Sequence, residues 1–178
     1  MKIIEVTGGP MLASCVPVIR TAFSTVLDEL GLTEADGPTS PAFITLDGLR
    51  SALDSGGRLF AGTESSQPVG AVIVRPATES GVFHLERLAV RPAQRHRGLG
   101  RSLLDHAVRV AGEQGGHQVS VSLIDDNGRL KRWYQAQHFT ETAARNFPHL
   151  PFTVCFMARQ LSSEVGCHPS PCRGGPPA

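Results

Sequence analysis

Apolar positions recur along this chain with two periods, and the alternation between them divides it into helices and strands. Val16, Ile19, Phe23, Val26, Leu27 and Leu30 keep the spacing of one helical face, and Gly31 follows as a stop. Pro10 suits the first turn of that helix, whereas Pro17 must lie near its start or kink it. Leu46, Leu49 and Leu53 mark a shorter helix, with Thr45 as a cap and Gly56-Gly57 as its end. Residues 2–6 have weak strand character. Apolar runs at 58–61, 69–74 and 82–90, separated by short turns, predict an antiparallel meander. Leu103, Leu104, Ala107, Val108 and Ala111 form the stripe of another helix, which Gly115-Gly116 ends. Val119, Val121 and Leu123 then alternate as a strand does. Residues 125–128 offer caps for a short helix holding Leu130, Trp133 and Tyr134, and 139–142 and 152–157 are the last strand candidates.

Composition narrows the setting. The 178 residues suffice for one domain with a real core, and a net charge of +1 with 19% charged residues gives no global push toward nucleic acid or membrane. No apolar run approaches the length of a membrane span, and residues 1–5 lack the apolar core of a secretory signal. Cys15, Cys155, Cys167 and Cys172 form no compact framework, so free thiols and a cytoplasmic location are expected. From Ser162 the chain turns to Ser, Gly, Pro and Cys, which predicts a domain over 1–161 and a disordered tail over 162–178. Cys167, His168 and Cys172 in that tail offer no closed ligand set, and no metal is expected.

One stretch departs from this even distribution. Arg95-His96-Arg97-Gly98-Leu99-Gly100 follows the strand ending Leu88-Ala89-Val90 and the break at Pro92, and it opens the helix that begins near Arg101-Ser102. The first amides of a helix have no internal partners and sit at the positive end of its dipole. Gly98 and Gly100 let a ligand approach the backbone, and Arg91, Arg95, Arg97 and Arg101 surround the turn with cations suited to phosphate. The stretch reads as a pyrophosphate cradle, with a plain basic surface loop as its rival. A dinucleotide fingerprint would need Gly or Ala where Leu103 stands, and no Gly-Lys-Ser or Gly-Lys-Thr of a phosphate loop is present.

Residues 95–100 satisfy the acetyl-coenzyme A motif of the GCN5-related N-acetyltransferase (GNAT) family: Arg or Gln, two residues, Gly, one residue, then Gly or Ala. The chain resembles that family further in Leu88-Ala89-Val90 with Pro92, in Leu103-Leu104, and in Asn127 followed by Tyr134 and Phe139. It departs where His138 replaces the glycine usual before that Phe. The resemblance is sharp from Glu86 to Phe139 and extends in strand order over 2–161. It implies an α/β fold of the GNAT kind, a mixed and mostly antiparallel sheet flanked by helices and splayed centrally for acetyl-coenzyme A. Arg95, His96, Arg97, Gly98, Leu99, Gly100, Arg101 and Ser102 would then hold the pyrophosphate. The backbone of Leu88, Ala89 and Val90 would face the pantetheine, and Asn127 would either contact it or cap a helix.

The same resemblance implies transfer of an acetyl group to an amine, with acetyl-coenzyme A as cosubstrate. Tyr134, the only tyrosine, matches the family's general acid. Glu86 resembles the carboxylate that several members use as a base. On a strand of period two, His84 and Glu86 share a face with Leu88 and Val90, so either could look into the cleft. A solvated carboxylate and a hydrogen-bonded histidine are the alternatives. Asp28, Glu29, Glu34 and Asp36 could draw a cationic acceptor or simply face solvent. The expected partners are acetyl-coenzyme A and an amine acceptor, small molecule or peptide, with neither nucleic acid nor membrane. The acceptor is unreadable, and a homodimer is left open. A non-catalytic acyl-coenzyme A sensor is the alternative from another class.

Overall fold

The structure, a computed structural model, describes residues 1–161; the expected tail over 162–178 lies outside the described residues. In chain order the elements are β1 (Lys2–Val6), α1 (Gly9–Leu30), α2 (Leu46–Asp54), β2 (Arg58–Glu64), β3 (Gln67–Pro76), β4 (Val82–Val90), α3 (Leu99–Glu113), β5 (Gln118–Ile124), α4 (Gly128–Gln135), β6 (Thr140–Asn146) and β7 (Thr153–Gln160). One seven-stranded sheet runs in the order β1-β2-β3-β4-β5-β7-β6, antiparallel throughout except where β4 meets β5. The expected meander is β2-β3-β4, turned between β2 and β3 at Ser65 and Ser66, both with positive φ.

Local signals at the helix ends act as expected. Gly31 ends α1 in the left-handed conformation at φ 65, and the Thr45 hydroxyl accepts the Gly48 amide to cap α2. Pro17 lies inside α1 rather than near its start, so the Ala13 carbonyl has no donor four residues on. The expectation that no stretch reaches the length of a membrane span is corrected by the same helix. It has 22 residues and a mean hydropathy of 1.4 in its most apolar window, enough by length and composition to cross. Arg20 and the hydroxyl residues interrupt the run in sequence without lowering that mean far. In this fold α1 lies on β3 and β4 and buries Leu12, Cys15, Val18, Ile19 and Ala22.

The sheet separates two apolar layers. Val72, Val74, Phe83, Leu85, Leu103, Leu104 and Phe139 pack on the side of α3 and α4, while Leu12, Ile19, Leu49, Leu59, Ala71, Ile73 and Ala89 pack on the side of α1 and α2. Leu103 and Leu104 are fully buried, as the expected helical stripe requires. Burying such a side chain contributes roughly 1.5–3 kcal/mol.

Two irregularities in β4 break the regular sheet. β4 and β5 pair only at Val82↔Gln118, Phe83↔Val119 and His84↔Ser120, and beyond that point they part. This is the central splay. Second, β4 carries a bulge: Ala71 pairs with Ala89 but Ile73 pairs with Glu86, and Arg87 in between has φ 52. The extra residue shifts the strand's faces. Leu88 and Val90 pack toward α3, whereas Glu86, opposite Ile73, and His84, opposite Arg75, belong to the α1/α2 side. The expectation that His84 and Glu86 share a face with Leu88 and Val90 is therefore corrected. Period two fails across an inserted residue.

Candidate active site

The last residues of β4 line the splay with free backbone. The Arg91 amide donates to the Val69 carbonyl at 2.9 Å, and Val90 and Ala89 stand opposite Gly70 and Ala71. Hydrogen-bonding partners alternate along an antiparallel ladder. Arg91 and Ala89 thus bond to β3, and Val90 and Leu88 turn their N–H and C=O groups toward the gap left by β5. Leu88 and Val90 are the positions expected to meet pantetheine; the backbone of Ala89 is held by β3.

A short turn over Pro92–Gln94 then delivers the chain to the glycine loop. His96 (φ 62) and Gly98 (φ 78) are both left-handed, and Gly98 is the N-cap of α3. Glycine takes that conformation without a Cβ clash. The Ser102 amide makes the first helical bond, to the Gly98 carbonyl at 3.0 Å, and the Ser102 hydroxyl donates to the same oxygen at 3.2 Å. The amides from His96 through Arg101 have no backbone acceptor among the described residues. A run of free N–H groups at the positive end of a helix is an anion-binding nest. A diphosphate fits this donor set.

The arginines around the loop do less of this than their charges suggest. Arg95 donates from Nη2 to the Ala22 carbonyl at 2.9 Å and to Thr25 Oγ1 at 2.8 Å, tying the loop to α1. Arg91 donates to the Pro68 carbonyl at 3.0 Å. Arg97 pairs with Glu64 at 3.2 Å and bonds Gln94. Arg101 has only a 3.7 Å pair with Asp105 and is 68% exposed, which leaves it the one most available to an anion among these residues.

Tyr134 projects from α4 into the α3/α4-side core and is 6% exposed. Its ring meets Trp133 and Phe139 edge-on, at 4.9 and 5.3 Å between centroids. Burial pushes its phenol well above the ordinary value of 10.0, so it carries its proton at neutral pH. Asn127 caps α4 by accepting the Leu130 amide at 3.0 Å, the more general of its two expected roles. His138 has φ 66, so the residue standing in for the family's glycine adopts the left-handed backbone that glycine favours.

Glu86 is held from both sides. One carboxylate oxygen accepts from Arg75, and the other accepts from Arg87 Nη1 at 2.9 Å. His84 is exposed at the last β4–β5 pair, its Nδ1 2.6 Å from Ser120 Oγ. The Ser120 hydroxyl also lies 3.4 Å from the Phe83 carbonyl. If its proton goes there, Nδ1–H is the donor to Oγ, and the Nε2 lone pair is left unengaged. Of the acidic residues that could draw a cationic acceptor, Glu29 pairs with Arg129 at 2.9 Å and Asp36 bonds Thr33 at 2.7 Å. Asp125, Glu141 and Cys155 bring ligand-type atoms within 4.8 Å of one another, and the Lys131 ammonium bonds both carboxylates, 3.2 Å from Glu141.

Two residues of the site carried no readable signal in the sequence: Ser120 is a plain polar position of an alternating strand, and Arg87 is aimed by a bulge that no local pattern announces.

An open sheet parted beside an anion nest at a helix start is the architecture of the GNAT fold. The chain belongs to the acetyltransferase (GNAT) family, whose model matches residues 26–139, more than half of its length. An acetyltransferase of the GNAT family from Staphylococcus aureus Mu50 shares the fold with a TM-score of 0.68 at 21% identity, over 90% of this chain and 99% of that one. The ribosomal-protein-S18-alanine N-acetyltransferase from Escherichia coli gives 0.70 at 16% identity, over 92% and 97%. The PaiA N-acetyltransferase from Thermoplasma acidophilum, solved in complex with coenzyme A, gives 0.73 at 14% identity, over 90% and 100%. No curated protein sequence matches significantly.

Proposed function

We propose that this protein is an N-acetyltransferase that moves an acetyl group from acetyl-coenzyme A to a primary amine. The observation that carries the reading is the run of amides from His96 to Arg101 with no backbone acceptor among the described residues, opening beside the parted strands β4 and β5. The Escherichia coli and Thermoplasma acidophilum relatives are both named N-acetyltransferases, and the latter was solved with coenzyme A. Acetyl-coenzyme A supplies an acyl group activated as a thioester. The amides of Gly98, Leu99, Gly100 and Arg101 hold the pyrophosphate, and the free N–H and C=O groups of Leu88 and Val90 align the pantetheine as an added strand would.

An attacking amine must be neutral, and the departing thiolate needs a proton. Tyr134, kept protonated by burial, is the donor to the thiolate. His84 is the better candidate than Glu86 to take the amine proton, directly or through water. Both Glu86 oxygens already accept from arginines, whereas His84 has an unengaged ring nitrogen at the point where the strands part. Turnover should fall far more in His84→Gln than in Glu86→Gln. A cytoplasmic location belongs to this reading, supported by the free thiols of Cys15 and Cys155.

The direct test is thiol release from acetyl-coenzyme A across a broad amine panel, with the acetylated product identified by mass. Saturable coenzyme A binding without turnover of any amine would replace the enzyme with a binding module.

A further inference from the structure

The bulge in β4 gives Arg87 a place that a regular strand would not. Its side chain reaches a cavity of about 240 Å³ on the α1/α2 side of the sheet, walled by the connection between α1 and α2 and by the first turn of α2. Thr39, Ser40, Phe43, Ile44 and Thr45 line it together with Arg87, and no Asp or Glu does. The Ser40 and Thr45 hydroxyl oxygens accept from the amides of Ala42 and Gly48, which leaves each O–H able to donate. Among the described residues, Arg87 is the only ionised side chain in the lining.

Its guanidinium is only partly used. Nη1 donates to Glu86 at 2.9 Å, while Nε is buried with no hydrogen-bond partner among the described residues. Arg75 is in the same condition, with one nitrogen on Glu86 and a buried, unpartnered Nε. Two permanent cations therefore share one carboxylate, leaving this corner positive by one charge. The Arg87 side chain keeps 23% of its surface exposed, and a guanidinium is shaped for a planar carboxylate.

We propose that the cavity at Arg87 receives a carboxylate of the amine acceptor, so that the substrate class is amino acids or their close relatives rather than polyamines. This rests on the N-acetyltransferase reading. The residue immediately after Arg87 is Leu88, whose free backbone faces the splay, so a group held by Arg87 lies next to the strand along which the acyl donor is aligned. A polycation has no partner here: the cavity offers it a guanidinium and no carboxylate.

The experiment compares matched acceptors with the wild type, R87Q and R87K. Glycine, β-alanine and γ-aminobutyrate are each paired with their carboxamides, and phosphoethanolamine and putrescine are added. Wild type should favour the best acid over its amide by on the order of 10- to 100-fold in kcat/KM, the worth of a charged hydrogen bond. R87Q should lose that preference through the acceptor's KM, with the KM for acetyl-coenzyme A unchanged, and R87K should recover part of it. Amides or putrescine used as well as acids, phosphoethanolamine used better than any acid, or a preference that survives R87Q would each overturn the assignment.

A second measurement does not depend on turnover. N-acetylglycine and N-acetyl-β-alanine are titrated into the coenzyme A-loaded protein and followed by NMR. Saturable binding that R87Q abolishes supports the site even if no amine is acetylated, in which case it is the enzymatic reading that falls. No binding to the wild type at millimolar concentration overturns the site even if other amines turn over.

Discussion

The glycine loop and the Arg87 cavity adjoin the same strand, β4, yet they are built from different material. The loop is backbone: consecutive amides from His96 to Arg101, left without a partner among the described residues by a left-handed N-cap and the start of α3. The cavity is side chain and shape, assembled from the α1–α2 connection, the first turn of α2 and one arginine that a bulge redirects. A backbone site can be altered at most positions without losing its donors. A side-chain site depends on a few identities and can be retuned by one substitution. On the reading proposed above, the shared cosubstrate belongs to the loop and individual specificity to the cavity.

The largest effect should come from neither region but from Tyr134, the proposed acid. Tyr134→Phe keeps the ring that Trp133 and Phe139 contact and removes only the hydroxyl. Steady-state kinetics should show turnover falling on the order of 10²–10⁴-fold with little change in the KM for acetyl-coenzyme A. Equal rates would remove Tyr134 from the chemistry. The same variant has a pH signature in stability. Because burial raises the phenol above its ordinary 10.0, the stability it carries is complete below pH 10.0 and is lost as the pH climbs beyond it. Thermal melts of the wild type should show that alkaline loss, and those of Tyr134→Phe should lack it.

Next in size is the loop itself. A Cβ at Gly100 would lie 3.7 Å from Trp133 and from Val90, an ordinary contact, so Gly100→Ala should fold and bind. Gly100→Val adds branches that crowd the backbone a diphosphate must approach. Coenzyme A affinity by calorimetry should fall on the order of 10- to 100-fold, the loss of one charged hydrogen bond. Unchanged affinity in a folded Gly100→Val protein would break the assignment of the nest.

Arg95→Ala sharpens the same comparison from the other side. Its guanidinium bonds α1 at Ala22 and Thr25, so its removal should lower stability by about 1–3 kcal/mol in denaturant titrations while coenzyme A affinity changes less than in Gly100→Val. An affinity loss as steep as that of Gly100→Val would make Arg95 a phosphate ligand and the loop partly a side-chain site. The smallest effect is expected at His138→Gly. Relief of a left-handed non-glycine backbone at φ 66 should stabilise the protein by about 1 kcal/mol, read as a rise in Tm. A fall in Tm would mean that the imidazole itself anchors the turn.

Much of this architecture was legible in the order of residues, and the physical reasons are local. Helical spacing from Val16 to Leu30, the Gly31 stop, the Thr45 cap and the alternation through Val119, Val121 and Leu123 each express a rule that acts within a few residues of chain. The cradle belongs to the same class, because a strand end, a glycine turn and a helix start are contiguous and make their own donors. That is why a short motif could stand for a binding site. What tertiary structure alone decided concerns partners distant in sequence. The bulge at Arg87 arises from the register of β4 against β3, and it moved His84 and Glu86 to the face opposite Leu88 and Val90. Arg95, expected to hold phosphate, also ties the loop to α1 because Ala22 and Thr25, far earlier in the chain, present a carbonyl and a hydroxyl to it. Arg87 met a cavity formed by residues around Ser40 and Thr45, with no spacing rule to connect them. Backbone donors follow from local sequence; the neighbours of a long charged side chain follow only from packing.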